Sequence, residues 1–177
     1  MNKLLPRALS LIAMATFAPV ASANTANFAS GSYIASPERI GSAELRWLGI
    51  KLYKADLYTE RGEDFDWSRP FQLDLTYQRE FSGPALVKAT LFEIERVEGG
   101  LPDGDEIKAK LAECFRDVKP SDRYSAVAVG ANAVRFFLNN EETCLLEHDK
   151  IRARFLGIWL SDSSRELAAS QALRGLD

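Results

Sequence analysis

The chain has 177 residues, with 22 Lys and Arg against 25 Asp and Glu, and 46% of its residues are apolar or aromatic. That is ample for one buried core and too little for a second substantial domain, at roughly 100–200 residues per domain. With one His and two Cys, a structural His/Cys zinc site lacks ligands and a His-based triad has only His148 to draw on, so most metal and nucleophile chemistry is disfavoured.

The first expected element is a removable leader. Lys3 and Arg7 give a positive start, Ala8 to Val20 is uncharged and mostly apolar, and Ala21-Ser22-Ala23 has the small-x-small pattern of a signal peptidase site. An apolar run this short, interrupted by Pro19, falls below the ~20 residues needed to span hydrocarbon. Residues 1–23 are therefore expected to be a cleaved signal peptide, residues 24–177 a single exported domain, and a bacterial periplasm its destination. Without Lys3 and Arg7, 20 basic residues face 25 acidic ones, a net charge of −5. An acidic domain with no basic stripe is not expected to bind nucleic acid.

After a polar start, Ala43 to Leu48 and Ile50 to Thr59 read as two strands around Gly49, the second with Tyr53, Ala55 and Leu57 on its inward face. Phe71 to Tyr77 alternates Phe71, Leu73, Leu75 and Tyr77 with Gln72, Asp74 and Thr76, the pattern of a half-buried strand. Helical spacing follows: Ser82-Gly83-Pro84 supplies a cap and a first-turn proline, Val87, Leu91, Ile94 and Val97 form a stripe, and Gly99-Gly100 end it. Asp103 and Glu106 predict a capping box for a second helix, with Ile107, Leu111, Cys114, Phe115 and Val118 on one face and Pro120 as its end. Three strands are expected at Arg123 to Val129, Val134 to Asn139 and Thr143 to Glu147. Asp149 then caps a helix bearing Ile151, Phe155, Ile158 and Trp159, and Ser163-x-x-Glu166 opens the last one. Strands, two helices, three strands and two helices predict an α+β domain, an antiparallel sheet with its helices on one face.

Export permits a disulfide between Cys114 and Cys144, and it equally permits two small core residues; a separation of 30 positions fits both. Glu147-His148-Asp149 does not converge on one ion. The acids at Glu60, Glu63, Asp64 and Asp66 lack the alternation of a calcium loop. No metal site and no cofactor are expected.

Three segments carry a family resemblance: Leu45-Arg46-Trp47-Leu48-Gly49-Ile50-Lys51-Leu52-Tyr53-Lys54-Ala55-Asp56-Leu57-Tyr58, then Val118-Lys119-Pro120-Ser121-Asp122-Arg123, then Phe155-Leu156-Gly157-Ile158-Trp159-Leu160 with the Leu-rich terminus through Leu176. Their order and spacing resemble the bacterial exported chalcone isomerase-like family over nearly the whole of residues 24–177. The resemblance implies an open-faced β-sandwich, a curved antiparallel sheet under a layer of helices, with a ligand cleft between them. It implies a fold that carries both chalcone isomerases and fatty-acid-binding proteins. The family's arginine before the first turn and hydroxyl residue after it match Arg46 and Tyr53, and tyrosine at the second position resembles the fatty-acid-binding branch, where the isomerases have threonine. The tyrosine and asparagine with which the isomerases hold their ketone have no match here.

The residues support a physical reading of their own. An inward Arg46 offers a planar fork to a carboxylate, and the Tyr53 phenol adds a donor. Phe92, Phe155 and Trp159 then form apolar walls. The competing reading makes Arg46 a surface residue paired with Glu44, Tyr53 a core residue, and the aromatics ordinary core at helical spacing. The expected function is an exported, non-catalytic binder of a small amphipathic ligand such as a fatty acid. The enzyme alternative is an isomerase or intramolecular lyase acting on an unsaturated ketone, with Arg46 polarising the carbonyl. A third alternative is a partner-binding module of the envelope.

Overall fold

The computed structural model describes residues 33–176; the expected signal peptide and cleavage site lie outside them. Six strands form one antiparallel sheet in sequence order: β1 (Pro37–Trp47), β2 (Ile50–Glu60), β3 (Phe71–Tyr77), β4 (Arg123–Gly130), β5 (Ala133–Leu138) and β6 (Glu141–Glu147). Between β3 and β4 run α1 (Gly83–Glu98) and α2 (Gly104–Cys114). After β6 come a π-helical segment (Arg152–Leu156), the short α3 (Gly157–Leu160) and α4 (Leu167–Leu173). The helices pack on one face of the meander, where Ala55, Leu57, Leu73, Tyr124, Ala126, Val134 and Phe136 of the sheet meet Val87, Ile94, Ile107, Leu111, Phe155 and Leu160.

Turn chemistry explains the meander. Leu48 and Gly49 both take positive φ, as do Asn139 and Asn140, which is the two-residue hairpin geometry whose twist matches that of the strands it joins. Ser82 caps α1, its hydroxyl accepting from the Ala85 N–H at 3.3 Å, and Gly99 closes the helix in the left-handed conformation. Gly41 of β1 lies where α4 ends. An added Cβ there would collide with the Leu173 and Ala172 carbonyl oxygens, so only glycine lets α4 settle on the edge strand.

Several expectations need correction. β1 starts at Pro37, well before Ala43. β3 is buried on both faces: Gln72 and Asp74 are as enclosed as their apolar neighbours. Gln72 donates to Asp74 at 2.6 Å, Arg123 approaches Asp74 at 3.4 Å, and Asp56, opposite Asp74 in register, receives Lys54. These partners offset the burial of polar groups in part: Asp74 Oδ2 makes no hydrogen bond, and burial pushes the Asp74 carboxyl up. α2 ends at Cys114, short of Phe115 and Val118. There the Tyr124 hydroxyl accepts from the Arg116 N–H and donates to the Cys114 carbonyl, while Val118 bridges to Phe81. No side chain caps α2 or the segment after β6; Asp149 is not a cap, and the last helix opens at Leu167 with no side-chain cap.

Asp103 is diverted to a different task. Arg154, on the π-helical segment, donates to both carboxylate oxygens of Asp103 at 2.7 and 3.0 Å and to both of Glu98 at 2.7 and 2.8 Å. One guanidinium thereby ties the end of α1 and the start of α2 to the segment that carries Phe155. The Arg154 hydrogen bonds hold Asp103 at about 2, below its ordinary 3.8. A depressed carboxylate pKa contributes stability above the unfolded value and loses it as pH falls through the folded one. The melting temperature of Asp103→Asn is therefore expected to lie below that of the wild type at neutral pH, with the gap closing between about pH 4 and pH 2. A gap constant across a thermal-unfolding pH series would contradict this role.

Candidate ligand cavity

Between the inner face of β2 to β5 and the layer formed by α1, the π-helical segment and α3 lies a cavity of about 520 Å³. That is within the roughly 300–1,000 Å³ typical of small-molecule sites. Cross-strand register builds its floor: Tyr53 of β2 stands opposite Tyr77 of β3, and Leu73 opposite Ala126 of β4, which in turn faces Phe136 of β5. An aromatic file walls one side, with ring centroids 5.4 Å apart for Phe115 and Phe136, 5.0 Å for Phe136 and Phe155, and 5.3 Å for Phe155 and Trp159. These edge-to-face contacts make the wall both apolar and stiff. The wider π-helical turn lies where Phe155 enters the chamber, and such turns recur at functional sites.

All five residues expected to touch ligand line this chamber, though at different depths. Phe155 and Trp159 are buried, and Tyr53 is half-buried between them and the mouth. The Trp159 Nε1 donates to the Tyr53 hydroxyl at 2.9 Å, which orients the phenol and leaves its own proton to be donated. Burial pushes the Tyr53 hydroxyl up to about 12, so it stays protonated. Phe92 sits on α1 at the rim and is largely solvent-exposed. Arg46 is also at the rim, its side chain 52% exposed and its Nε donating to Glu44 at 2.8 Å. The ladder explains this placement: a bulge between Leu45 and Arg46, against Tyr53 and Lys51, lets Leu45 line the chamber and swings Arg46 toward its mouth.

Sequence reasoning missed several contributors. Tyr77 lines the cavity beside Tyr53, with ring centroids 5.8 Å apart; its place in the alternating strand marked it only as core. Thr90 and Glu93 of α1 and Arg165, in the stretch between α3 and α4, complete the lining. Arg165 donates to Glu93 at 2.6 and 3.0 Å, and its guanidinium lies 5.7 Å from the Phe92 ring centroid. Partial burial works to raise the Glu93 pKa, but hydrogen bonds from Arg96 and Arg165 outweigh it and hold the carboxyl below its usual range. No local sequence pattern announces this cluster, because Glu93 and Arg165 lie 72 positions apart. The two cysteines are paired, with Cα atoms 5.0 Å apart, joining the end of α2 to β6 beside Phe136.

Sheet, helical layer and the apolar chamber between them define an α+β protein of chalcone isomerase-like fold. Among solved structures the chain is similar to the fatty-acid binding protein AtFAP1 of Arabidopsis thaliana, with a TM-score of 0.59 over 81% of this chain and 92% of that one, at 8% identity. Identity that low makes the likeness one of fold. In sequence the chain is 29% identical over 153 residues to an uncharacterised protein of Haemophilus influenzae, covering 84% of this chain and 73% of that protein. No family model matches.

Proposed function

We propose that the protein binds one amphipathic ligand, a fatty acid or similar alkyl carboxylate, and does not transform it. The observation that carries this reading is the 520 Å³ chamber, walled by aromatic and aliphatic side chains, with its cations confined to the mouth. Filling it with an alkyl chain removes apolar surface from water on both partners, at roughly 25 cal/mol per Å². The carboxylate stays at the mouth, where Arg46 and Arg165 are each partly solvated and within reach of an anion that competes with Glu44 and Glu93. The resemblance of the Arg46 and Tyr53 positions to the fatty-acid-binding branch supports the same assignment.

The isomerase alternative requires a cation at the ketone, inside the chamber. Arg46, which the resemblance would place in that role, is held at the rim by Glu44. We further propose that residues 1–23 direct the chain to the periplasm; no helix among the described residues is long and apolar enough to cross a membrane.

The test is a displacement titration with a fluorescent fatty acid, accompanied by native mass spectrometry of gently purified protein. Long-chain acids are expected to displace the probe. An Arg46→Ala/Arg165→Ala variant is expected to weaken the acid by about threefold to tenfold relative to the alcohol of equal chain length, the range for partly exposed charge-assisted bonds. No uptake of any acid, or turnover of an enone panel, would refute the proposal.

A further inference from the structure

The polar groups of the chamber divide by charge and depth. Its arginines are at the mouth, with Arg46 52% and Arg165 43% exposed, and each is engaged by a carboxylate. Further in, the lining carries the hydroxyls of Tyr53, Tyr77, Thr90 and Tyr124, and the charged group near Tyr53 is Glu93, a carboxylate that is itself paired with Arg165 and Arg96. Tyr124 spends its hydroxyl on the end of α2. Tyr77 does not: its side chain belongs to a residue only 6% exposed, and its hydroxyl has no hydrogen-bond partner among the described residues. Tyr53 accepts from Trp159 and has a proton left to give. The two tyrosines are cross-strand neighbours on one face with ring centroids 5.8 Å apart, so two O–H donors unused within the fold belong to the same apolar room.

Buried donors are satisfied in nearly all folded proteins. A plain alkyl chain reaching this depth would leave both unpaired. A carboxylate there would shed its hydration with no countercharge inside the chamber, which is costly. Burial also keeps both phenols protonated, so they can donate and cannot act as anions toward a cation. The group that fits is a neutral acceptor with two lone pairs, which describes a carbonyl oxygen.

We propose that the ligand carries an uncharged carbonyl along its chain, received by the paired hydroxyls of Tyr53 and Tyr77, while its charged end remains at the mouth. This rests on the amphipathic-ligand reading above and narrows it to oxygenated acyl chains, with Tyr77 as a specificity-determining residue.

The experiment compares a long-chain saturated acid with isomeric keto acids in which the ketone is moved along the chain, each displacing the same fluorescent acid. At least one isomer is expected to bind about tenfold more tightly than the parent, the gain of one to two well-made hydrogen bonds. In Tyr77→Phe the ratio of the two affinities is expected to collapse toward one. The melting temperature of that variant should be no lower than the wild type's, because the lost hydroxyl has no partner within the fold. Tyr53→Phe supplies a second variant with the same expected collapse. If the parent binds and no ketone position improves on it, or if the preference survives both substitutions, this inference alone is overturned. If no acid binds at all, the amphipathic-ligand reading falls with it.

Discussion

Replacing both Cys114 and Cys144 by alanine is expected to lower the unfolding free energy by about 3–4 kcal/mol, the largest stability effect anticipated for this protein. The bond closes a loop across a separation of 30 residues, and the chain-entropy relation for a loop of that size gives a loss of this order. The bond also sits at a structural seam. It fixes the last residue of α2 to β6, immediately across the ladder from Phe136, and so braces the aromatic wall of the chamber. For a domain of about 150 residues, that loss corresponds to a fall in melting temperature of roughly 10 °C. Denaturant titration of the double variant, and of the wild type under reductant, measures it. A shift below about 1 kcal/mol in both would mean that the denatured chain is already constrained around the loop, or that the bond adds nothing to the folded state.

Filling the chamber from its floor should separate ligand binding from folding. Ala126 lies on β4 between Leu73 and Phe136 and lines the cavity. In a close-packed core, Ala126→Phe would overpack and destabilise by about 1–3 kcal/mol. Against a 520 Å³ void the added ring has space, and it gains contacts that the cavity walls now lack. The expectation is stability equal to or above that of the wild type, together with a loss of fatty-acid affinity of at least about 100-fold, or roughly 2.7 kcal/mol. Affinity is read from displacement of a fluorescent acid and stability from thermal unfolding of the same samples. Retained affinity would place the ligand elsewhere; loss of stability would mean that the chamber is closed in solution.

Local order was readable wherever one residue pattern had one physical cause. β3 was legible to the residue because strict alternation specifies a strand, and α1 because Ser82, Pro84 and Gly99 each satisfy a requirement of a helix end. The limits of α2 were not legible. Its apolar stripe continues through Phe115 and Val118, but the Tyr124 hydroxyl, ten positions beyond Cys114, takes the last carbonyl and stops the helix earlier. Asp103 carried a capping signal and instead serves Arg154, 51 positions away, because a bidentate pair with a guanidinium is a stronger partner than an exposed backbone N–H.

The site divides in the same way. Periodicity was enough to expect an antiparallel sheet with helices on one face and to mark Phe155 and Trp159 as apolar wall, because it decides which side chains share a surface. Arg46 and Tyr53 were singled out by the family resemblance, and Phe92 as an aromatic of the first helix. None of these signals could decide depth. A bulge of one residue turns Arg46 to the mouth, the β2–β3 register sets Tyr77 beside Tyr53, and a pairing across 72 positions brings Arg165 to Glu93. Each of those outcomes depends on which distant segments come together, so only the tertiary structure separates the arginines at the mouth of the chamber from the hydroxyls further in.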